Sequence, residues 1–198
     1  SSDKARSDHY SAVHSGFRWQ VDENFNIAEV CCSRWARAGD AAQRQAIRVH
    51  QPGAGPSSYS YLALKQAADA LSHTLQGLGV QRGDRVAIVM PQRFETAVAY
   101  MAVLQMGAVA MPLSMLFGPE ALQFRLHDSG AVVAICDESS IASIKAVRGD
   151  CPMLRRVLAA GSACGQGDLD LNLDYHSAFT AVTTKAEEAA DGSDAAAD

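Results

Sequence analysis

The chain has 198 residues, of which 48% are hydrophobic and 20% are charged, and its formal net charge is -5 at pH 7. This length is enough for one large hydrophobic core or two small ones, and the mildly acidic balance offers no basic patch for nucleic acid or an anionic membrane surface. No apolar run is long enough to cross a bilayer, and the polar start is not a secretory signal. We therefore expect a globular cytoplasmic protein with neither a nucleic-acid partner nor a membrane span.

The first predicted helix begins at Asn26, because Asn26 and Glu29 have the spacing of a capping box. It is expected to end near Gly39. Its apolar stripe includes Ile27 and Trp35, and we expect the helix to dock through that stripe.

A hairpin and a long helix follow. A short strand at 46–50, a loop rich in glycine and proline at 51–58 and a strand around Tyr59 indicate the hairpin. Ser60 then caps a helix whose apolar positions recur in steps of four and three residues, as in the core-facing stripe of a surface helix. These positions are Leu64, Ala68, Leu71, Leu75 and Leu78.

A βαβ unit comes next. A tight turn at Gly83 and Asp84 leads into an unbroken apolar strand at 85–89, a helix spans about 93–106, and a second apolar strand lies at 109–112. Unbroken apolar strands are typical of a parallel sheet with both faces covered, and helical crossovers join parallel strands.

The same alternation continues along the chain. A helix at 119–130 begins with proline and ends with glycine, a third apolar strand spans 131–136, either Ser139 or Ser140 caps the next helix, and a weaker strand lies at 156–160. Four strands alternating with helices predict an α/β fold, with α/β/α layers on a mainly parallel sheet.

We expect three regions along the chain. Residues 1–24 form an N-terminal extension, residues 25–181 form one α/β subdomain, and residues 182–198 form a mobile tail rich in alanine and acidic residues. One short helix is expected around 175–179.

Cysteines and histidines lack the spacing of a disulfide framework or a metal site. Six histidines and five cysteines are scattered along the chain. The cysteines are Cys31, Cys32, Cys136, Cys151 and Cys164. Because their number is odd and no CxxC pair occurs, we expect buried, reduced thiols and no bound metal.

Other candidate motifs have structural explanations. Gly77, Gly79 and Gly83 precede a strand, whereas the glycines of a dinucleotide fingerprint follow one, so they are interpreted as helix-end and turn residues. Arg155 and Arg156 are interpreted as a solvated strand edge in preference to an anion site. No phosphate loop, nucleophile elbow or zinc-protease motif occurs, and we assign no catalytic residue.

One loop is placed to contact a ligand. It consists of Ser114, Met115, Leu116, Phe117 and Gly118, and it joins the end of a parallel strand to the start of a helix. Ligands of open α/β sheets bind outside the carboxyl ends of the strands, and helix N-termini attract phosphate. Phe117 could equally be a lid on the core, so ligand contact and a structural role both stay open.

Four strings of the sequence carry a family resemblance. They are Ser60-Tyr61-x-x-Leu64, Gly79-Val80-x-x-Gly83-Asp84-Arg85-Val86-Ala87-Ile88-Val89-Met90-Pro91, Ala102-Val103-Leu104-Gln105-Met106-Gly107-Ala108-Val109-Ala110-Met111-Pro112-Leu113 and Pro119-Glu120-Ala121-Leu122 with Arg125-Leu126-x-Asp128-Ser129-Gly130-Ala131. Together they resemble the N-terminal region of the AMP-binding superfamily of acyl-CoA synthetases, adenylation domains and luciferases. The last string and the stretch Phe25-Asn26-Ile27-Ala28 with Trp35 are most similar to the acyl- or acetyl-CoA synthetase branch, and the resemblance covers about residues 17–181.

The resemblance implies an acid–thiol ligase with two-step chemistry. A carboxylic acid and ATP give an acyl-adenylate and pyrophosphate, and CoA then displaces AMP, as in fatty acid metabolism. ATP, Mg²⁺ and CoA are implied for the full enzyme, with none bound tightly by this chain, because the family's phosphate loop and C-terminal lysine are not found in these 198 residues. We therefore expect this region to be inactive without the remainder of the ligase chain, its partner.

The resemblance also assigns a ligand to the loop at 114–118. The corresponding loop of acetyl-CoA synthetases approaches the nucleotide end of CoA. Where those enzymes have a pair of glycines, this chain has Met115 and Leu116.

Two other functions stay open. A stand-alone binding or interaction module would keep the fold without the chemistry, and an intact gene that continues into a Ser/Thr/Gly-rich loop would exclude it. A dehydrogenase with a degenerate nucleotide fold is disfavoured because the glycines precede the strand, and tight NADH binding in calorimetry would revive it.

We expect the isolated chain to associate with itself through an apolar face, since in a whole ligase this subdomain packs against further sheets. Size-exclusion chromatography should show dimers or aggregates, and a hydrophobic dye should bind. A clean monomer that binds no dye would contradict the expectation.

Overall fold

The computed structural model describes residues 2–50 and 55–171. Its helices are α1 (Ser2–Gly16), α2 (Arg34–Ala36), α3 (Tyr61–Gly77), α4 (Phe94–Gln105), α5 (Pro119–Ser129) and α6 (Ile141–Val147), with a π-helix at Glu29–Ser33 and 3-10 turns at Arg148–Asp150 and Gly161–Ala163. Its strands are β1 (Gln45–Val49), β2 (Ser57–Ser60), β3 (Arg85–Val89), β4 (Val109–Pro112), β5 (Val133–Cys136), β6 (Arg156–Ala160) and β7 (Leu169–Leu171). The helix expected around 175–179 and the tail expected at 182–198 lie outside the described residues. Among the helices in the described part of the chain, none combines the length and the apolar character needed to cross a membrane.

A five-stranded parallel sheet forms the centre of the fold, in the order β4-β3-β5-β6-β7. β3 pairs on both sides, with Val86 opposite Ala110 of β4 and Val133 of β5. β1 and β2 form a separate antiparallel pair in which Ile47 is opposite Tyr59. The predicted α/β fold, parallel sheet and hairpin are confirmed.

Helices cover both faces of the sheet, which explains the unbroken apolar strands. Val86 and Ile88 pack with side chains of α3 and α4 on one face, and Ala87 and Val89 pack with α5 and α6 on the other. None of the four is more than 2% exposed. Because successive side chains of a strand point to opposite faces, a strand covered on both faces is apolar throughout.

Strand β7 is missing from the sequence-based prediction. It is only three residues long, and its position depends on Asp168, whose carboxylate accepts a hydrogen bond from the Val157 N–H at 2.7 Å and pairs with Arg148 at 2.9 Å. Burial alone would raise the pKa of Asp168, but the bonds from Arg148 and Val157 outweigh it and lower that pKa below its ordinary value. Contacts between distant residues therefore define this strand.

The N-terminal region differs from the prediction in two ways. α1 lies within the segment interpreted as an extension, and the π-helix at 29–33 precedes α2. A π-helical turn contains more residues than an α-helical turn, so it rotates the buried face. Cys32 is buried, whereas Cys31 and Ile27 are exposed. The expected docking stripe is therefore wrong at Ile27, and the expected burial of Cys31 is wrong.

Several large apolar side chains before the π-helix are exposed to solvent. Trp19 is 84% exposed and Val21 is 65% exposed. The others are Tyr10, Val13, Phe17, Phe25 and Ile27. These side chains supply exposed apolar surface of the kind that we expect to drive self-association. The self-association itself stays a prediction.

Asn26 joins the ends of two helical segments. Its Oδ1 accepts hydrogen bonds from the N–H groups of Ala28 at 2.9 Å and Glu29 at 3.3 Å, which confirms its predicted capping role. Its Nδ2 donates to the carbonyl of Leu104 at 3.0 Å and reaches that of Gln105 at 3.5 Å, at the C-terminus of α4. One side chain thus satisfies orphan donors of one helix and orphan acceptors of another.

Replacing Asn26 with alanine should destabilise the fold by about 1 to 2 kcal/mol, because the cap and the amide bonds to α4 are lost together. Urea unfolding followed by circular dichroism measures the change. Asn24→Ala, at an exposed position two residues earlier, is the matched control and should stay within about 0.5 kcal/mol of the parent. Equal losses in the two variants would contradict the bridging role.

Candidate ligand-binding site at the carboxyl edge of the sheet

The strand order creates a crevice beside β3. If the five strands of this sheet are numbered 1 to 5 along the chain, starting at β3, their order across the sheet is 2-1-3-4-5. The connection after β3 therefore leads to one side of β3, and the connection after β4 crosses to its other side. In open α/β sheets, ligands bind at such a reversal, outside the carboxyl ends of the strands. The residues that follow β3, β4 and β5 therefore form the candidate site.

A cluster of charged residues, the Arg93 hub, occupies the reversal between β3 and β5. It consists of Arg93, Glu95, Asp137 and Glu138. The Arg93 guanidinium lies 2.9 Å from Glu95, 3.1 Å from Asp137 and 3.3 Å from Glu138. The hydrogen bonds to Glu95, followed by those to the other carboxylates, raise the pKa of Arg93 in spite of its partial burial.

The hub is not arranged to bind a phosphate. One guanidinium faces three carboxylates, so the cluster carries an excess of negative charge. The Asp137 side chain is only 1% exposed, and a buried carboxylate needs a charged or hydrogen-bonding partner. Arg93 supplies that partner, and its donors are engaged within the protein.

The hub also reaches the end of β6. The backbone N–H of Ser162 donates to Glu138 at 3.2 Å. Gly161 has a φ of +63°, and a Cβ atom there would lie 2.6 Å from the Glu138 carboxylate and 2.8 Å from the Arg93 guanidinium. The left-handed backbone favours glycine at this position, and a Cβ atom there would also displace the side-chain ends of Glu138 and Arg93.

The serine cap predicted for α6 is not formed. Ser140 precedes the helix, but its buried hydroxyl donates to the carbonyl of Val89 at the end of β3. The turn is closed instead by Asp137, whose carbonyl accepts from the Ser140 N–H at 3.1 Å and the Ile141 N–H at 2.9 Å. A serine hydroxyl that finds a tertiary acceptor is lost as a local cap.

The predicted loop, residues 114–118, lies beside this crevice and is internally bonded. Ser114 accepts hydrogen bonds from the Leu116 N–H through its Oγ at 3.1 Å and from the Phe117 N–H through its carbonyl at 3.2 Å. Phe117 packs against the core as a lid would, and the centre of its ring lies 4.0 Å from Cζ of Arg125. Leu116 is 92% exposed. Ligand contact by this loop stays a prediction.

An uncharged cleft of about 370 Å³ lies between the ends of β3 and β4. Among the described residues, its polar lining consists of Gln92, Thr96, Tyr100 and Ser114, and Met115 forms part of its apolar wall. A larger cleft of about 650 Å³ lies away from this edge, beside α3, where Lys65 is paired with Asp69. Only the first cleft adjoins the predicted loop, and it suits an uncharged part of a ligand.

Two of the five cysteines, the buried Cys32 and Cys136, are unsuited to nucleophilic catalysis. All five are free, as predicted. Burial raises the pKa of Cys32 to about 11, and burial together with the neighbouring Asp137 raises the pKa of Cys136 to about 12. Since the thiolate is the reactive form, these thiols are inert at neutral pH. Within residues 2–50 and 55–171, no group of three His, Cys, Asp or Glu side chains is arranged to hold a metal.

Sequence reasoning missed the Arg93 hub, although a signal for it was present. Charged residues follow two adjacent apolar strands, Arg93 after β3 and Asp137 with Glu138 directly after β5. Arg155, weighed as an anion site, lies instead near Asp84 at 3.7 Å. The Arg155 guanidinium also reaches the carbonyl of Gly79, at the opposite edge of the sheet, at 3.5 Å.

Comparisons with known proteins give consistent results. Residues 35–197 match the family described as AMP-binding enzyme. The acetyl-coenzyme A synthetase of Nostoc linckia is 31% identical over 171 residues, covering 80% of this chain and 49% of that protein. That of Streptomyces coelicolor is 36% identical over 118 residues, covering 60% of this chain and 18% of that protein. The chain thus spans at most about half the length of these two relatives.

Solved structures show the same fold. Acetoacetyl-CoA synthetase from Streptomyces lividans superposes with a TM-score of 0.67 at 22% identity, covering 80% of this chain and 26% of that one. The anthranilate CoA ligase AuaEII, in complex with anthranoyl-AMP, superposes with a TM-score of 0.62 at 20% identity, covering 71% of this chain and 26% of that one. At these identities the likeness concerns the fold alone.

Replacing Arg93 with methionine should destabilise the protein by about 3 kcal/mol, because the buried Asp137 carboxylate would lose its cation. Urea unfolding measures the loss, and adding Asp137→Asn should recover part of it. Arg37→Met, which removes an exposed pair with Glu29, is the control and should leave the unfolding midpoint unchanged. An unchanged midpoint for Arg93→Met would show that the hub contributes no stability.

Proposed function

Because the chain belongs to the AMP-binding enzyme family, we propose that it is the N-terminal α/β subdomain of an ATP-dependent acyl-CoA synthetase. The enzyme would convert a carboxylic acid and ATP to an acyl-adenylate and pyrophosphate, and then use CoA to release AMP and form acyl-CoA. The observation that carries the proposal is the match of residues 35–197, together with acetyl-coenzyme A synthetases among the relatives. The five free thiols agree with a reducing compartment such as the cytoplasm.

The described residues do not fit the Mg²⁺–ATP part of this chemistry. Their carboxylates at the carboxyl edge are tied to Arg93, and no side-chain cluster among them could hold a metal. We therefore assign adenylate formation to other residues of the ligase, and we propose that this chain is inactive by itself. Its contribution is a rigid sheet whose carboxyl edge presents the loop at 114–118.

For CoA, the residues fit an uncharged portion of the molecule. The cleft beside the loop has neutral hydrogen-bonding groups and apolar walls, and the side chain of Leu116 in that loop is exposed to solvent. The adjacent hub has excess negative charge, which repels phosphate. We propose that Ser114, Met115, Leu116, Phe117 and Gly118 contact the nucleotide end of CoA through its base and sugar, with its phosphates bound elsewhere.

A second candidate, a stand-alone binding module, is favoured by one observation. The described residues contain an internally neutralised Arg93 and thiols of raised pKa, and neither group is poised for chemistry. Such a module would keep the sheet and the loop as a ligand-contacting surface without turnover.

An assay of pyrophosphate release with ATP, Mg²⁺ and short or medium carboxylic acids separates the two candidates. We expect no turnover by the 198-residue chain, and ATP-dependent acyl-CoA formation by the intact gene product. Turnover by the chain alone would overturn its proposed inactivity. An intact gene product that makes no acyl-CoA would favour the binding module.

A further inference from the structure

The loop at 114–118 is held from outside at two points. Phe117 lies under Arg125 of α5 on one side. On the other side Met115 reaches the turn after β5, where its Sδ lies 3.1 Å from the Oγ of Ser139. The exposed Leu116 lies between the two anchors. The geometry of the loop therefore depends on a residue of a different connection, 24 positions further along the chain.

Ser139 is itself fixed in one orientation by Asp137. Its N–H donates to Asp137 Oδ1 at 3.0 Å, and its hydroxyl donates to the same oxygen. A hydroxyl has a single proton, and the bond to a carboxylate is the stronger one because it is charge-assisted. The carboxylate therefore holds the proton more strongly, and the Met115 thioether, which also lies within donor distance of the hydroxyl, is the weaker second acceptor.

Asp137 is fixed in turn by the hub. Its other oxygen, Oδ2, accepts from Arg93 at 3.1 Å, and Arg93 is held by two hydrogen bonds to Glu95, at 2.9 and 3.0 Å. A continuous series of contacts thus leads from the end of β3, through the end of β5, to the loop after β4. Because Arg93 is paired with three carboxylates, this series of contacts offers no free cation to a ligand.

We infer that Ser139 is a positioning residue for the nucleotide end of CoA, acting through Met115 on the loop at 114–118; this inference rests on the proposed function. Ser139 does not need to touch the ligand. It restricts the loop to one arrangement before binding, and preorganisation of this kind improves affinity because less ordering is required when the ligand arrives.

Kinetics of the intact ligase provide the first test. Ser139→Ala should raise the KM for CoA about three- to ten-fold, the effect of losing one net hydrogen bond, with kcat and the KM for ATP changed by less than about two-fold. Ser139→Thr keeps the hydroxyl and should restore the KM, whereas Met115→Leu keeps the volume and should mimic Ser139→Ala. Ser162→Ala is the matched control, since Ser162 is exposed and uses its backbone N–H in contacting the hub.

Hydrogen exchange provides a second test that needs no activity. In the 198-residue chain, the amide of Leu116 should exchange faster in Ser139→Ala than in the parent or in Ser162→Ala. Unchanged exchange, or an unchanged KM for CoA in an active ligase, would overturn the positioning role while leaving the proposed function intact. A parent ligase that forms no acyl-CoA would overturn the proposed function, and the assignment of CoA to this loop with it.

Discussion

The two-sided pairing of β3 is the constraint on which the rest of this structure depends. The strand is hydrogen-bonded to β4 and β5 and covered by helices on both faces, with Val86 and Ala87 fully buried. A shift of one residue would turn side chains toward the wrong layer and leave backbone groups without partners. The carboxyl end of β3 is therefore a fixed point, and the segments that follow β3, β4 and β5 are placed relative to it.

The Arg93 hub uses this fixed point to hold the edge of the sheet together. Asp137 is buried, which is tolerated because Arg93 and the turn around Ser139 satisfy its two oxygens. The side-chain ends of Arg93 and Glu138 lie so close to the end of the next strand that a Cβ atom at Gly161 would displace them. Electrostatics at one position thus determine the residue type at another, and they leave this part of the edge unable to receive a phosphate.

Two environments therefore meet at the loop of residues 114–118. On one side is a self-neutralised cluster with excess negative charge, and on the other is an uncharged cleft beside Tyr100 and Gln92. A nucleotide in the cleft would meet neutral and apolar groups, whereas a cation, the Arg125 guanidinium over Phe117, lies beside the loop itself. The chain belongs to the AMP-binding enzyme family, and the proposed contact of this edge with a nucleotide is supported by the uncharged lining of the cleft.

Local patterns in the sequence determined much of this protein. The strand predicted at 85–89 is β3, and Ser60 accepts the hydrogen bond that starts α3, because periodicity and capping depend on residues a few positions apart. Only the tertiary structure decided β7 and the pairing of Arg93 with Asp137, which are 44 positions apart. The physical reason is that a charge pair or a short edge strand leaves no local period. Each forms only when packing of the central sheet has brought its distant parts together.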